Sequence, residues 1–517
     1  MKSKIRKVRR VSLTQDEIED LHAIGAALAA ERDLDRLLSQ ILEKCRRIVR
    51  ADAGTLFLAE RAGGEEELSG LRFKLAQNDS VPLRLGEFVI PINKKSIAGY
   101  VATTGETLRL PDVYHIAETY PFRFNPEVDR ETGYRSKSVL AIPMTDHREQ
   151  LIGVVQLWNK KKKSSVVTFT SADQKLVASL SAQAAVAIEN AKLYAEIRQL
   201  FKGFIRASAT AIEARDPSTR GHSERVAVLT VALAEEVNRT PTGRLQAYQF
   251  TPEQIIEIEY ATLLHDFGKI GVRENILTKS KKLFDWELAL IRERLGAWYR
   301  EAELAVERRK SEHLASGGKP GDAGWSQIEA LSEASLTEIR EIEGLILQCN
   351  EPTVMPEKVG AELSRLAEIY VTHPDGEKVR IVSDEQIRRL RIPRGSLSDE
   401  ERRQIESHVT HSFEFLSKIP WTRDLKGIPE IAHGHHEKLD GTGYPRGIPM
   451  EQIPFAARMM AIADIFDALA ARDRPYKKAV PAERALDILR MEAAEGKLDI
   501  DLVNLFIERK VYERTPS

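Results

Sequence analysis

The chain has 517 residues, enough for roughly two to four domains, and its 42% hydrophobic and 30% charged content is that of an ordinary globular protein. Its formal net charge of −1 gives no overall field that would draw it to a nucleic acid polymer or to an anionic membrane. The Lys- and Arg-rich start, residues 1–13, is a local exception and is expected to be a solvated basic tail.

Cysteine usage and hydropathy indicate the compartment. Cys45 and Cys349 are the only cysteines and lie in different predicted domains, so a structural disulfide is not expected and a reducing compartment is favoured. No apolar run reaches the roughly 18 residues of a membrane-spanning helix, and the basic start lacks the apolar segment of a secretory signal. We therefore predict a cytoplasmic protein without a membrane partner.

The first predicted domain, residues 14–170, alternates helical and strand-like patterns. A helix is predicted from Thr14 to Val49, with Thr14 as its cap. Strand-like runs separated by turns follow, and a helix, several antiparallel strands and a second helix form an α+β pattern. The predicted strands are residues 54–60, 71–75, 138–144 and 151–159.

This domain resembles a GAF domain, a small-molecule sensor module, in residues 96–105, 138–144, 151–160 and 169–173. GAF domains that bind cyclic nucleotides carry an Asn-Lys…Phe…Asp-Glu signature near this place. The resemblance implies a small-molecule ligand whose identity stays open, and the alternative is a GAF fold used only for dimerisation. The signature is matched by Asn159, Lys160, Phe169 and Asp173, whereas Gln174 replaces the Glu.

Residues 171–205 predict one long linker helix with a heptad seam. We interpret the seam as a parallel coiled coil that joins two chains into a homodimer, and the alternative is a face that packs within one chain. Its polar positions suit a linker whose register shifts when the GAF domain binds its ligand. The seam positions are Leu176, Leu180, Gln183, Ala187, Asn190, Tyr194, Ile197, Phe201 and Phe204.

The rest of the chain predicts an all-α catalytic domain in two parts, separated by an insertion. Residues 206–282 predict helices that are broken near residues 216–217 and 240–243. Residues 283–397 contain strongly charged helical stretches and no cluster of metal ligands, which predicts a mostly helical insertion. Ser398, three residues before Glu401, predicts the helix start of the second part, residues 398–517.

Histidines and aspartates cluster in the two catalytic parts. Two pairs, His265–Asp266 and His435–His436, are sequence neighbours. Neighbours on a helix point about 100° apart, so two ions about 3.5–4 Å apart, bridged by Asp266, fit better than one ion. Lys269 is predicted to lie on the helical face of His265, four residues earlier. The other candidates are His222, His408 and Asp464.

Such a centre suits the hydrolysis of a phosphodiester, whose negative charge resists a nucleophile. Two divalent metals would neutralise that charge and activate a water, and Lys269 would protonate the leaving oxygen. Arg474 and Lys477 would bind the substrate phosphates. Histidine and carboxylate ligands without thiolate admit Fe, Mn, Ni, Co or Zn, and the sequence does not choose among them.

Residues 206–282 and 397–500 resemble an HD-GYP domain, a bacterial branch of the HD metal-dependent phosphohydrolases. The matching runs are residues 215–222, 265–269, 275–277, His408, 435–437, 440–445, 464–469 and 474–476. The resemblance implies hydrolysis of cyclic di-GMP to linear pGpG, and often on to GMP. It implies Lys269 and Asp266 as catalytic residues, contacts to the substrate from Gly443, Tyr444, Pro445, Arg474 and Lys477, and metal ligation by His265, Asp266, His408, His435, His436 and Asp464.

The role of His222 has two alternatives. Family members with a third metal carry a Glu four residues before this histidine, and here the position is Ser218, a poor ligand. We therefore predict two metals, with His222 near the phosphate or holding a weak third ion. His411 and His433 fall near the ligands but outside the matched positions, so they are expected to be structural or to support the ligands.

The leading prediction is a GAF-regulated, metal-dependent cyclic di-GMP phosphodiesterase. One alternative is the hydrolysis of another cyclic dinucleotide or nucleotide by the same residues. A second alternative is a sensor or docking protein that binds a partner, such as a diguanylate cyclase domain, through its Gly-Tyr-Pro turn. The presence of every expected ligand for two metals favours the enzyme.

Overall fold

The computed structural model describes residues 31, 33–61, 68–82, 86–216, 219–354, 359–372, 376–471 and 480–514. The predictions made for residues 1–30, which include the Thr14 cap, and for Ser218, Arg474 and Lys477 lie outside these ranges. The chain divides into two compact units, one up to residue 202 and one from residue 203 onward.

The first unit is an antiparallel sheet with helices. In chain order its elements are α1 (Leu34–Val49), β1 (Ala51–Arg61), β2 (Leu68–Asn78), β3 (Val89–Ile90), α2 (Ile97–Thr104), β4 (Leu108–Leu110), α3 (Glu127–Thr132), β5 (Val139–Thr145), β6 (Leu151–Lys162), β7 (Ser165–Val167) and the start of α4 (Ser171–Glu213). The strand order is β3-β2-β1-β6-β5-β4, and the short β7 pairs with β6.

The four predicted strands are confirmed as β1, β2, β5 and β6. Their apolar residues face both sides of the sheet, because each side is covered. One core packs α1 and the first half of α4 against Leu56 and Leu140. The other core packs α2 and the segment that follows it against Phe57 and Phe73. The α+β prediction for this part of the chain is therefore confirmed.

The long linker helix is confirmed as α4, but its exposed seam differs from the prediction. Leu176 and Leu180 are buried in the core of the first unit, so the alternative of packing within one chain holds for the first half of α4. Ala187 is also buried there, which excludes it from a seam between two chains. The exposed apolar residues of one stripe are Val186 (46% exposed), Leu193 (48%), Ile197 (60%), Leu200 (77%) and Phe204 (65%).

The second unit is mostly helical. After the end of α4 it contains α5 (His222–Asn238), α6 (Pro252–Leu264), α7 (Glu274–Leu277), α8 (Asp285–Ala315), α9 (Ala323–Asn350), α10 (Val359–Leu366), β8 (Tyr370–Thr372), β9 (Lys378–Arg380), α11 (Asp384–Leu390), α12 (Asp399–Leu416), α13 (Ile428–His433), α14 (Phe455–Ala470), α15 (Ala482–Ala494) and α16 (Ile500–Glu508). Short 3-10 helices lie at Arg244–Ala247, Phe267–Gly271, Arg423–Leu425, Met450–Gln452 and Val511–Arg514.

Helix α12 packs closely on the 3-10 helix Phe267–Gly271, and both segments carry candidate site residues. A side chain at Gly268 would place its Cβ 1.9 Å from the carbonyl oxygen of His408, so only glycine fits there. The Gly268 amide donates to Ser412 Oγ at 2.7 Å, and the Ser412 hydroxyl donates to the His265 carbonyl at 2.7 Å. This packing fixes His408 relative to the His265–Asp266 pair.

Residues 283–397 are mostly helical, as predicted. Helices α8 and α9 pack on each other. The N-terminal half of α8 and the C-terminal half of α9 share a core with α10 and α11 that includes Ile291, Ile339 and Leu390. The helical content of this stretch is confirmed, whereas its status as an insertion stays a prediction. Among the described helices of the chain, none is both long and apolar enough to cross a membrane.

A group of ion pairs joins this stretch to α12. The predicted capping box at the start of α12 is confirmed, because Ser398 and Glu401 exchange hydrogen bonds through backbone and side chain. Lys279 donates to both carboxylate oxygens of Glu401 at 2.8 Å. Arg389 pairs with Glu287 and also lies 3.8 Å from Glu401, which connects the stretch to α12. Glu287 and Glu401 are buried, so these pairs fix the start of α12 to its neighbours.

Candidate metal centre

The predicted ligands come from five helices or from the turns that follow them. Helix α6 begins at a complete capping box on Thr251 and ends at Leu264, so His265 and Asp266 lie in the turn that leads into the 3-10 helix. His435 and His436 follow α13, which ends at His433. The remaining candidates are His222, the first residue of α5, His408 in the middle of α12, and Asp464 in the middle of α14.

This arrangement corrects one step of the sequence reasoning. Neither neighbouring pair lies within an α-helix, so the 100° argument does not apply to either of them. Lys269 likewise does not share an α-helical face with His265. It reaches the site from the 3-10 helix, where its Nζ lies 2.9 Å from Asp266 Oδ2.

Three of the histidines are oriented in the same way. In each, Nδ1 lies 2.6 Å from the carbonyl oxygen three residues earlier, which pairs His265 with Thr262, His408 with Ile405 and His435 with Ala432. A carbonyl only accepts, so Nδ1 carries the hydrogen and Nε2 keeps its lone pair. This is the usual way in which a protein presents a histidine to a metal.

The lone pairs converge on a buried space. His265, His408 and His435 are 1–2% exposed. Nε2 of His435 is buried without a hydrogen-bond partner among the described residues, and Nε2 of His408 lies 3.2 Å from Asp266 Oδ1 without the alignment of a hydrogen bond. Buried polar atoms without partners are costly, so these atoms call for a positive ion or a water between them.

The two aspartates lie between the histidines. Asp266 directs Oδ1 toward His408 Nε2 at 3.2 Å and Oδ2 toward His265 Nε2 at 3.4 Å. Asp464 directs Oδ1 toward His222 Nε2 at 3.0 Å and Oδ2 toward His436 Nδ1 at 3.9 Å. Each carboxylate thus faces two histidines, which is the arrangement expected of a bridging ligand.

Among the described residues of the second unit, two groups of potential ligands meet the distance requirement for a shared ion. His408, His435 and His436 form one group, and His222, His265 and Asp266 form the other, with ligand atoms of each group within 4.8 Å of one another. Nitrogen and carboxylate donors without thiolate fit a divalent transition metal or zinc. The residues therefore fit the predicted cofactor, and His222 lies inside the cluster.

Electrostatics keep His435, His436 and the two aspartates in the form that binds a metal, whereas the Asp464 and Asp467 carboxylates outweigh burial and raise the pKa of His222 to about 9. Burial lowers the pKa of His435 well below its usual value and that of His436 to about 4, so both imidazoles are neutral. Burial alone would raise the pKa of Asp266 and Asp464, but Lys269 beside Asp266, and His222 beside Asp464, hold both well below the usual range. Both carboxylates are therefore ionised.

Lys269 is a buried cation at the edge of the cluster. Burial disfavours its charge, but the Asp266 and Asp216 carboxylates, 2.9 Å and 3.5 Å from Nζ, raise its pKa above the usual value. It therefore carries a proton at neutral pH. Asp216 was quoted in the sequence only as part of a motif, and its role beside Lys269 was not predicted.

The Gly-Tyr-Pro loop is tied to the cluster by its backbone. The Glu437 carboxylate is buried and accepts the amides of Arg446 (2.8 Å) and Ile448 (3.2 Å). A Cβ on Gly443 would lie 2.3 Å from the Lys438 amide nitrogen, so the turn needs glycine there. The Tyr444 amide donates to the His436 carbonyl at 3.2 Å, and its ring lies 4.7 Å from the His436 ring, while Pro445 is exposed.

Two histidines outside the matched positions have packing roles. His433 stacks on Phe413 with ring centroids 4.3 Å apart, and burial lowers its pKa. His411 lies against Gly271, where a Cβ would meet its ring at 2.5 Å. Sequence analysis missed Asp467 of α14, which contacts His222, and Arg225 of α5, which pairs with Asp467. Asp467 is three residues after Asp464, and this helical spacing was the available signal.

In the first unit, the GAF signature residues are satisfied by one another and by the backbone. Lys160 Nζ pairs with Asp173 at 2.5 Å, and Asp173 also accepts from the Thr170 hydroxyl at 2.8 Å. Asn159 accepts from the Lys137 amide and donates to the Arg135 carbonyl, both at 2.7 Å. Lys160 and Asp173 thus hold the end of β6 to the start of α4, and Asn159 holds it to the segment before β5. Phe169 is buried in the core of this unit.

The two units match known domain families. Residues 33–188 match the GAF domain family, and residues 219–345 and 384–502 each match HD domain families. The first HD match extends into the stretch that the sequence predicted as an insertion, so it does not delimit that stretch.

Curated relatives cover parts of the chain. A 3'3'-cGAMP-specific phosphodiesterase 3 from Vibrio cholerae is 42% identical over 95 residues, 18% of this chain and 20% of the relative. A cyclic di-GMP phosphodiesterase from Thermotoga maritima is 40% identical over 110 residues, 21% of this chain and 29% of the relative. A dual 3',5'-cyclic-AMP and -GMP phosphodiesterase 11A from Takifugu rubripes is 35% identical over 174 residues, 33% of this chain and 18% of the relative.

The matched segments thus span less than a third of each of these relatives. Family matches, the sheet topology of the first unit and the helices of the second agree on the domain content. The chain carries an N-terminal GAF domain followed by an HD domain.

Proposed function

We propose that the chain is a GAF-regulated, metal-dependent phosphodiesterase that hydrolyses cyclic di-GMP to linear pGpG, with GMP as the product of a second cleavage. The observation that carries this proposal is the convergence of four buried histidines and two ionised aspartates beside a protonated lysine. The HD family match and the cyclic di-GMP phosphodiesterase from Thermotoga maritima support it.

The side chains divide the work of the proposed reaction. Two divalent ions would be held by the predicted ligands, which are His222, His265, Asp266, His408, His435, His436 and Asp464. The ions would supply charge neutralisation at the phosphodiester and an activated water. Lys269 Nζ holds a proton 2.9 Å from Asp266 and would transfer it to the leaving ribose oxygen.

Tyr444 is proposed to shape the substrate side of the centre, because its ring packs on His436 and it follows Gly443 in the loop. Burial raises the pKa of its hydroxyl, so the group stays protonated and can donate to a phosphate oxygen. Pro445, Arg474 and Lys477 are proposed as further contacts to the substrate.

The test is a product assay on protein purified without oxygen, loaded with Mn²⁺ or Fe²⁺ and incubated with cyclic di-GMP. Chromatography should show pGpG or GMP, and Asp266→Ala should yield neither. If the metal-loaded protein leaves cyclic di-GMP intact but a partner such as a diguanylate cyclase domain still binds the Gly-Tyr-Pro loop, the docking alternative replaces the enzyme.

A second candidate substrate is 3'3'-cGAMP, because the relative from Vibrio cholerae carries that specificity in its name. Both molecules are cyclic dinucleotides with two phosphodiesters, so the same ligands and the same lysine would serve either of them. Parallel assays with cyclic di-GMP, 3'3'-cGAMP, cyclic AMP and cyclic GMP would rank kcat/KM. Turnover of 3'3'-cGAMP without turnover of cyclic di-GMP would reverse the assignment.

We also propose that α4 joins two copies of the chain as a parallel coiled coil. At 100° per residue, Val186, Leu193, Ile197, Leu200 and Phe204 stay within about 40° of one line along α4, and all five are exposed. Asn190 lies in the same stripe. Counted in heptads, Leu193 and Leu200 occupy d positions, and Asn190 and Ile197 occupy a positions. Leu at d with Ile at a favours two parallel strands, and one Asn at a specifies the register.

Charge reversal in this stripe tests the dimer. Leu193→Glu combined with Ile197→Glu should give a monomer by light scattering after gel filtration. Ala195→Glu, on the opposite side of the same exposed turn, should stay a dimer. A monomeric wild type at micromolar concentration would refute the coiled coil. If the dimer transmits the state of the GAF domain, the double variant should also lose any change in rate that a GAF ligand causes.

A further inference from the structure

His222 is held from both ring nitrogens by carboxylates of one helix. Nε2 lies 3.0 Å from Asp464 Oδ1, and Nδ1 lies 2.8 Å from Asp467 Oδ2. Both aspartates are on α14, one helical turn apart. Asp464 belongs to the proposed metal centre, whereas no role has been given to Asp467.

Asp467 is itself fixed by Arg225. The guanidinium donates from Nε to Oδ1 at 2.7 Å and from Nη2 to Oδ2 at 3.1 Å, which is the two-point geometry of a strong carboxylate–arginine pair. Asp467 is 3% exposed, so its charge needs this partner. An ionised carboxylate can only accept, so Asp467 receives the hydrogen of His222 Nδ1. Asp464 Oδ1 faces Nε2 in the same way at 3.0 Å, so a metal ion at Nε2 would take the place of the hydrogen there, while Asp467 keeps the hydrogen on Nδ1.

This support differs from that of the other histidines in the cluster. His265, His408 and His435 use a backbone carbonyl three residues earlier in the chain, which no substitution at that position removes. His222 is the first residue of α5 and depends on a side chain 245 residues away for the orientation of its ring. Its place in the cluster can therefore be altered without changing a ligand.

We propose that Asp467, held by Arg225, is a positioning residue that orients His222 so that its Nε2 faces the metal group of His265 and Asp266. The inference rests on the metal centre given under the proposed function, and it adds to that centre a carboxylate that touches neither ion nor substrate. Partners of this kind typically change metal affinity by 10- to 100-fold when removed.

The test measures metal binding in the absence of substrate. The full-length proteins compared are wild type, Asp467→Ala, Asp467→Asn and Arg225→Gln. Each is freed of metal with a chelator and titrated with Mn²⁺ against a chelating indicator. Circular dichroism and thermal unfolding check that each variant is folded. The weakest Mn²⁺ equivalent should bind about 10-fold or more weakly in Asp467→Ala. Asp467→Asn should lose less Mn²⁺ affinity than Asp467→Ala, because its amide oxygen can still accept from His222 Nδ1. Arg225→Gln should also lose less Mn²⁺ affinity than Asp467→Ala.

Asp499→Asn is the matched control, because Asp499 is another buried carboxylate paired with an arginine, Arg244. It should cost stability and leave the Mn²⁺ affinities unchanged. Folded Asp467→Ala and Asp467→Asn proteins that bind Mn²⁺ within twofold of wild type would overturn the inference and leave the metal centre intact. A wild type that binds no ion would overturn the metal centre and this inference with it.

Discussion

The GAF signature and the HD cluster are both sets of buried polar residues, but only one set is satisfied. In the first unit, Lys160 forms an ion pair with Asp173, and the Asn159 side-chain amide forms hydrogen bonds with the backbone. In the second unit, Nε2 of His435 and of His408 are buried without a hydrogen bond among the described groups. A satisfied set needs nothing from outside and explains a fold, whereas an unsatisfied set of donors needs an ion and explains a function.

The largest effect is expected from the removal of Asp266, the carboxylate that faces both halves of the cluster. Asp266→Ala leaves His265, His408 and Lys269 without their shared partner. We expect less than about 1% of the wild-type phosphodiesterase activity and the loss of at least one bound ion, because both ions depend on a bridging ligand. Metal analysis together with the product assay checks this, and retained ions with full activity would contradict the bridge.

Removal of the proposed general acid should separate the chemical step from metal binding. Lys269→Met keeps the length of the side chain and loses its proton. We expect kcat to fall by about 10² to 10⁴-fold, because no other described lysine approaches Asp266, while the ion content stays that of wild type. Lys418→Met, an exposed lysine on the same unit, serves as the control. An equal loss of ions and activity would assign Lys269 to the structure of the site rather than to proton transfer.

The sequence predicted the participants of the cluster better than their geometry. His222, His265, Asp266, His408, His435, His436 and Asp464 were all chosen from motifs, and all lie in the cluster. The helical-face argument failed because α6 and α13 end just before their motif residues. Local periodicity cannot show a helix end when no glycine or proline marks it, as at Leu264.

Long-range partners were the part that sequence could not provide. Asp467 contacts Arg225 across 242 residues, and neither residue carries a mark that points to the other. The strands of the first unit were predicted well because their apolar runs are continuous and bounded by turns. The first half of the predicted α4 seam was wrong, because a helix that is buried on one side and apolar on the other shows two overlapping periodicities. Asn190, Ile197 and Phe204 of the predicted seam are exposed.

A smaller effect is expected in the GAF domain, at the ion pair between Lys160 and Asp173. Asp173→Asn leaves Lys160 without its carboxylate and weakens the tie between β6 and α4. We expect a local destabilisation of about 1–3 kcal/mol, typical of a half-buried pair that loses one partner. Hydrogen exchange should speed up in the amides of β6 and the start of α4, with ion content unchanged. Glu118→Gln, which changes an exposed carboxylate of the same unit, is the control. A loss of ions in Asp173→Asn would contradict the purely structural role assigned to this pair.

The smallest expected effect concerns Glu401, which is buried and satisfied within the HD unit. Burial alone would raise its pKa, but the Lys279 ammonium and the Ser398 amide lower it below the usual value. Its ionised form therefore stabilises the fold above the unfolded pKa of about 4.3, and this contribution disappears as the pH falls through the lower folded pKa. Glu401→Gln should cost about 1 kcal/mol of unfolding free energy at pH 7.

Because that cost comes from the charge, the difference between Glu401→Gln and wild type should shrink as the pH is lowered from 5 toward 3. Urea unfolding at each pH measures it, and Glu400→Gln, the exposed neighbour in the first turn of α12, should show little difference at any pH. A difference that stays constant down to pH 3 would mean that Glu401 acts through packing and hydrogen bonds to the backbone. In that case the ion pairs that join α12 to its neighbours would contribute geometry and little electrostatic stability, as buried pairs often do.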